Sequence, residues 1–193
     1  GELVLEQDAA RLVATLAGPG LSIVLEQDGS AASRLTLQAE GPGQILPEGA
    51  ARFLPDGLVD AHARLAFRPD AVTLDAAVFN LAGATARGTL ALAREGGRLT
   101  GRLALPSIDL RGLLGAALGA APSGASTWST VRFGPPASLP EFDLAIEAGA
   151  VTAADGIILR DARFALRADQ DGLRLDDLTA PFGGGRVGGR FAT

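Results

Sequence analysis

The residues of this chain that are able to do chemistry are few and scattered. His62 is the only histidine, and there is no cysteine. An imidazole serves as a general base or as one ligand of a metal, but a zinc site needs three or four nitrogen or sulfur donors. The alternating run around His62 places it with Arg64 and Arg68 on a wet strand face, so a solvated role is expected. Asp176-Asp177 supplies two carboxylates, yet successive strand residues face opposite ways, which keeps them from acting on one substrate. Asp169-Gln170-Asp171-Gly172 has the look of a calcium loop. Its glycine comes too early and the closing glutamate is missing, so a hairpin turn is expected. Gly183-Gly184-Gly185-Arg186 has the glycines of a phosphate loop but not the Lys-Ser or Lys-Thr opening a helix, and it also reads as a tight turn. No Gly-x-Ser-x-Gly elbow is present. The expectation is a protein that is not an enzyme, with no metal and no cofactor.

Charge narrows the partners. The formal net charge is −5, which argues against a nucleic-acid surface, because that affinity depends on clustered positive charge. All 17 basic residues are arginine. Guanidinium forks suit phosphate recognition, but the richness in Ala and Gly points to coding bias as the simpler source.

What must position any site is a succession of strands. Leu35, Leu37 and Ala39 alternate with Arg34, Thr36, Gln38 and Glu40. Ala61, Ala63, Leu65 and Phe67 alternate with Asp60, His62, Arg64 and Arg68. The same period of two runs through Leu99, Leu103 and Leu105 and through Phe142, Leu144 and Ile146. Between these runs stand Asp28-Gly29, Glu95-Gly96-Gly97, Asp155-Gly156 and Asp171-Gly172, whose residues tolerate the positive φ of tight hairpins. The architecture expected is all-β, built of repeated antiparallel hairpins. One short helix is expected near 107–120, with Leu110, Leu113, Leu114 and Leu118 at helical spacing and Ser107 as its cap.

A pattern is also stated twice. Ala63 to Arg68, Val72 to Asp75 and Leu81-Ala82-Gly83 are matched by Ala162 to Arg167, Leu173 to Asp176 and Phe182-Gly183-Gly184. A unit used again suggests a sheet that grows by adding hairpins. The chain is read as one β-rich domain over 1–193. Within it, 57–121 holds the first repeat plus the helix, 122–140 an irregular connection with Trp128, and 141–193 the second repeat, while 1–56 is patterned least clearly. The chain opens on Gly1 and is read as a fragment of a longer protein. No apolar run approaches the roughly 18 residues of a membrane helix.

Hydrophobic residues make up 47% and aromatics 5%, so the apolar sides of these strands are aliphatic. At about 4.8 Å per strand, ten to twelve strands extend about 50 Å. An apolar face of that size must be hidden. Either the sheet closes as a sandwich or barrel, or it curls into an open hydrophobic groove covered by an apolar ligand. Periodicity is satisfied by both. In the groove reading Leu65, Phe67, Leu74, Val78, Leu90, Leu99, Leu103, Leu144, Ile146, Phe164, Leu166, Leu173 and Leu175 share one lipid-binding face. A carboxylate at Phe164 then leaves the sheet folded.

The second half carries a family resemblance. Trp128-Ser129, Leu159-Arg160-Asp161-Ala162-Arg163-Phe164, Gly172-Leu173-Arg174-Leu175-Asp176-Asp177-Leu178 and Gly183-Gly184-Gly185-Arg186-Val187-Gly188-Gly189-Arg190 are similar to the C-terminal region of AsmA-family proteins. So is Gly101 to Leu110, and the likeness spans residues 83–193. The resemblance implies a β-taco-like groove in a periplasmic protein of a Gram-negative envelope. It implies attachment to the inner membrane through a segment not present in this chain. The implied partners are phospholipid or another acyl-chain lipid and outer-membrane assembly proteins. The implied task is lipid transfer between the two membranes. The alternative is a closed β-domain that scaffolds outer-membrane protein assembly without lipid, with an extracellular adhesin-like domain behind it.

Overall fold

The structure, a computed structural model, describes residues 1–8, 11–29, 32–45, 57–81, 84–110, 141–154, 157–169 and 172–192. The alternating segments fold as β1 (Glu2–Gln7), β2 (Leu12–Gly18), β3 (Leu21–Gln27), β4 (Ala32–Ala39), β5 (Val59–Phe67) and β6 (Ala71–Leu81). They continue as β7 (Ala84–Ala93), β8 (Leu99–Asp109), β9 (Phe142–Ala154), β10 (Ile157–Asp169), β11 (Gly172–Phe182) and β12 (Gly185–Ala192). All twelve strands join one sheet in sequence order, β1 and β12 being its edges. The sheet is open and does not close into a barrel or sandwich. A 3-10 turn spans Pro42–Gln44.

Most neighbours are antiparallel hairpins, as the turn chemistry requires. Phe182 pairs with Gly185 across Gly183 and Gly184, whose φ values of 57° and 83° are those of the primed turn that matches strand twist. Asp169 pairs with Gly172 where β10 meets β11, so the ends of the calcium-like motif are paired strand residues. One neighbour departs from the hairpin pattern. β9 runs parallel to β8, with Leu103 beside Ile146 and Ile108 beside Val151. A parallel return needs a connection of a dozen or more residues, and the interval 110–141 between β8 and β9 is long enough to supply one.

The helix expected at 107–120 does not begin where its cap was placed. Ser107, Ile108 and Asp109 complete β8, with Ser107 paired to Ala150. The run Leu103, Leu105 continues the strand's own period as far as Asp109, and Leu110, the first of the leucines at helical spacing, is helical. Residues 111–120, the connection 122–140 with Trp128, and the turn residues 82–83, 155–156 and 170–171 lie outside the described residues.

The two stated patterns become β5–β7 and β10–β12, and they share a feature that no alternation shows. β6 carries a bulge at Ala76 and β11 one at Asp177, both in the left-handed region with φ of 48° and 56°. A bulge sets two residues against one and shifts the parity of everything beyond it. Leu74 and Phe79 therefore share a face, and Val78 turns to the other, opposite His62 and Arg87. Val78 must be struck from the expected apolar face. A third left-handed residue, Asp161 (φ 48°), marks a kink across three strands. There the apolar row passes from Leu105, Ala148 and Ala162 to Ile108, Val151 and Leu159.

Alanine in the left-handed region costs about 1–2 kcal/mol, against about 0.5–1 kcal/mol for the extra freedom of glycine. Ala76 is exposed, so no packing is lost by trimming it. Ala76→Gly is expected to stabilise the fold by roughly 0.5 kcal/mol, and Ala76→Val to destabilise it, as read by urea denaturation.

Candidate functional site

The site is a face rather than a pocket. Cross-strand partners lie on the same side of a sheet, so the register lays side chains in rows across it. One row runs Leu65, Leu74, Leu90, Gly101, Leu144, Leu166, Leu175 and Phe191 from β5 to β12. A second passes through Leu5, Ala14, Leu25, Leu35, Ala63 and Ala77, and a third through Leu3, Leu16, Ile23, Leu37, Ala61 and Phe79. The bulges keep these rows in phase. Without the one at Ala76, Val78 rather than Ala77 and Phe79 would fall on the apolar face of β6.

Of the residues expected on the groove face, Leu65, Phe67, Leu74, Leu90, Leu99, Leu103, Leu144, Ile146, Phe164, Leu166, Leu173 and Leu175 do share it by register. They do not share one environment. Ile146, Phe164, Leu166, Leu173 and Leu175 belong to a buried cluster with Leu110, Val151 and Leu159, against which Leu103 and Leu144 pack. Phe164 is 4% exposed, whereas Phe67 is 58% exposed. The C-terminal half of the face is thus buried.

The open apolar surface lies instead on β1 to β4. Leu3, Leu5, Leu12 and Leu16 are exposed, Leu3 and Leu5 to 64% and 66%, and every residue of β3 is half-buried. Sequence reasoning did not place these residues in the site. Leu3 and Leu5, and Leu21, Ile23 and Leu25, alternate as regularly as the strands it used, so period-two counting over residues 2–27 was the signal available.

The opposite face is wet and cross-linked by charge. Arg167 stands between Asp143 (3.2 Å) and Asp176 (2.9 Å), Asp143 also receives Arg98 (3.5 Å), and Arg174 reaches Asp169. Arg167 faces Arg174 directly across the strands, a like-charge pair that these carboxylates offset. The hydrogen bond and charge of Asp143, followed by those of Asp176, hold the Arg167 guanidinium above its ordinary value. A raised value keeps that charge in place throughout the neutral range, and the linkage is lost only as pH rises through it. Elsewhere Glu26 takes both Arg11 (2.6 Å) and Arg34 (3.2 Å). Asn80 donates to Asp60 (3.1 Å) and accepts from Thr85 (2.7 Å). Solvated pairs like these contribute little stability each. Their effect is to fix which face meets water.

His62 is exposed on this wet face beside Arg64. Among the described residues no group of three or more His, Cys, Asp and Glu gathers as a metal site. Asp176 is engaged by Arg167, and Asp177 is the bulge residue. No family model matches the chain, and no curated protein or solved structure matches it either.

Proposed function

We propose that this chain is a non-enzymatic lipid-binding and lipid-transfer module, similar to the AsmA-like proteins of the Gram-negative periplasm. The observation that carries the reading is a one-layer open sheet whose apolar face continues past its buried cluster onto exposed leucines of β1 and β2. Soluble proteins rarely leave a contiguous apolar patch uncovered, and an acyl chain is the ligand whose shape fits an aliphatic floor. Burial of a methylene contributes about 0.8 kcal/mol, so a dozen of them gain roughly 10 kcal/mol. Head groups would stay at the wet rim. No step requires a nucleophile, a base or a metal.

The open half of the face is the binding half in this reading, and it sets the test. Leu16→Asp places a carboxylate on the floor where water still reaches it, so the sheet stays folded by circular dichroism. Phospholipid recovered with the purified chain, measured by native mass spectrometry, drops several-fold. Thr15→Asp, on the opposite face, leaves recovery unchanged. A wild-type chain that carries no lipid and instead captures a defined envelope protein would replace this reading with the scaffold.

A further inference from the structure

We propose that the border of the sheet carrying the β5–β6 and β7–β8 turns holds the head group of a zwitterionic phospholipid, one that joins a phosphate to a primary ammonium. The inference rests on the lipid-binding reading above and adds where the head group sits and which charges it carries. Strand direction makes the two turn-bearing borders different. Arg68, Pro69 and Asp70 connect β5 to β6, and Arg94 to Arg98 connect β7 to β8, at one border because β5 to β8 alternate in direction. Among the described connecting residues of the opposite border, such as Pro19-Gly20 and Gly183-Gly184, the one charge is Glu40.

Two turns of the charged border stand apart from the others. Arg11 is held by Glu26, Arg98 by Asp143 and Arg174 by Asp169. Arg68, Asp70, Arg94 and Glu95 are all exposed, and their side chains make no hydrogen bond or ion pair among the described residues. The turns themselves are tied together, since the Arg94 N–H donates to the Asp70 carbonyl (2.9 Å) and the Arg68 N–H to that of Ala71 (2.8 Å). Two guanidiniums and two carboxylates are thus offered side by side on a fixed backbone. A guanidinium fork matches a phosphate, and a carboxylate accepts from an ammonium in a charge-assisted hydrogen bond. A purely anionic head group would meet Asp70 and Glu95 as like charges.

The apolar side of this border completes a site for an amphiphile. Phe67 and Leu92 lie in one row through Val72 and are 58% and 45% exposed. Behind them Leu74 and Leu90 are half-buried. A head group at the two turns therefore sets its acyl chains on this row, running along the strands. From Leu92 to Ala84 the apolar positions of β7 span about 26 Å. That exceeds one leaflet's share of the roughly 30 Å hydrocarbon core of a bilayer.

Vesicles of equimolar phosphatidylethanolamine and phosphatidylglycerol with the same acyl chains test this, with captured lipid counted by native mass spectrometry of the purified chain. The wild-type chain is expected to take the ethanolamine lipid several-fold in excess. Asp70→Asn with Glu95→Gln, folded by circular dichroism, should abolish that preference. Arg68→Gln with Arg94→Gln should lower capture of both lipids about tenfold, because both carry the phosphate. Leu16→Asp, remote from these turns, lowers the amount without changing the ratio. Capture without preference in the wild type, or a preference that survives in the Asp70 and Glu95 variant, overturns the head-group assignment and leaves the lipid-binding reading standing. Undiminished capture by the Arg68 and Arg94 variant does the same. A wild-type chain that captures neither lipid overturns both.

Discussion

Phe164→Asp is expected to unfold the C-terminal half of the sheet. Phe164 sits on β10 between Ile146 of β9 and the bulged stretch of β11, 4% exposed inside the buried cluster. Removing a buried phenyl ring costs about 3–5 kcal/mol. A carboxylate in its place costs several kcal/mol more or takes up a proton. The sum is comparable to the whole stability of a domain, about 5–15 kcal/mol. Phe164→Leu, which keeps most of the volume, is expected to cost no more than about 1.5 kcal/mol. The acidic variant should also depend on pH. Burial raises the folded-state pKa of the new group above the ordinary value near 4. The folded chain then holds a proton that the unfolded chain has lost, so stability falls as pH rises from about 4 towards neutrality. Urea denaturation at acid and neutral pH, followed by circular dichroism, checks both statements. A neutral-pH variant as stable as wild type would mean that this part of the face is open after all, as the simple groove reading of the strand pattern expects.

Gly88→Ala is expected to break the pairing of β7 with β8. A β-carbon at Gly88 would overlap the carbonyl oxygen of Arg102, with the carbonyl carbon 2.9 Å and the Leu103 α-carbon 3.1 Å away. Those atoms are backbone, so no rotamer change relieves the clash, and the strands must separate. Overpacking of this kind costs about 3 kcal/mol. The loss falls at the middle of the sheet, where β7 and β8 join the open apolar strands to the buried cluster. Amide exchange should rise first at Thr89 and Arg102, which face each other across this junction. Gly189→Ala is the control, because a β-carbon there has nothing within 4 Å. Equal stability of the two variants would show that β7 and β8 adjust more freely than their spacing indicates.

Much of this architecture is local and can be read along the chain. Alternation in Val59–Phe67 becomes alternate burial in β5. Gly183-Gly184 becomes a primed turn because only positive φ at both residues joins two right-twisted strands so tightly. The repeat is visible in residue types, since Leu74 and Leu175 precede the bulges at equivalent places.

What the residue pattern could not decide is whatever depends on partners distant in sequence. Val78 shares its parity with Leu74 but not its face, because one left-handed residue between them turns the strand. β9 runs parallel to β8, and no turn signal in β9 itself states that direction. Leu16 and Phe164 are equally good strand residues with equally apolar neighbours. One lies near a sheet edge and keeps water contact, while the other lies between β9 and β11 and loses it. Period-two patterning thus assigns side chains to two faces through the geometry of the strand alone. How deeply each is buried, and where the apolar face stays open, comes from the number of strands and side chains that the tertiary fold brings around it.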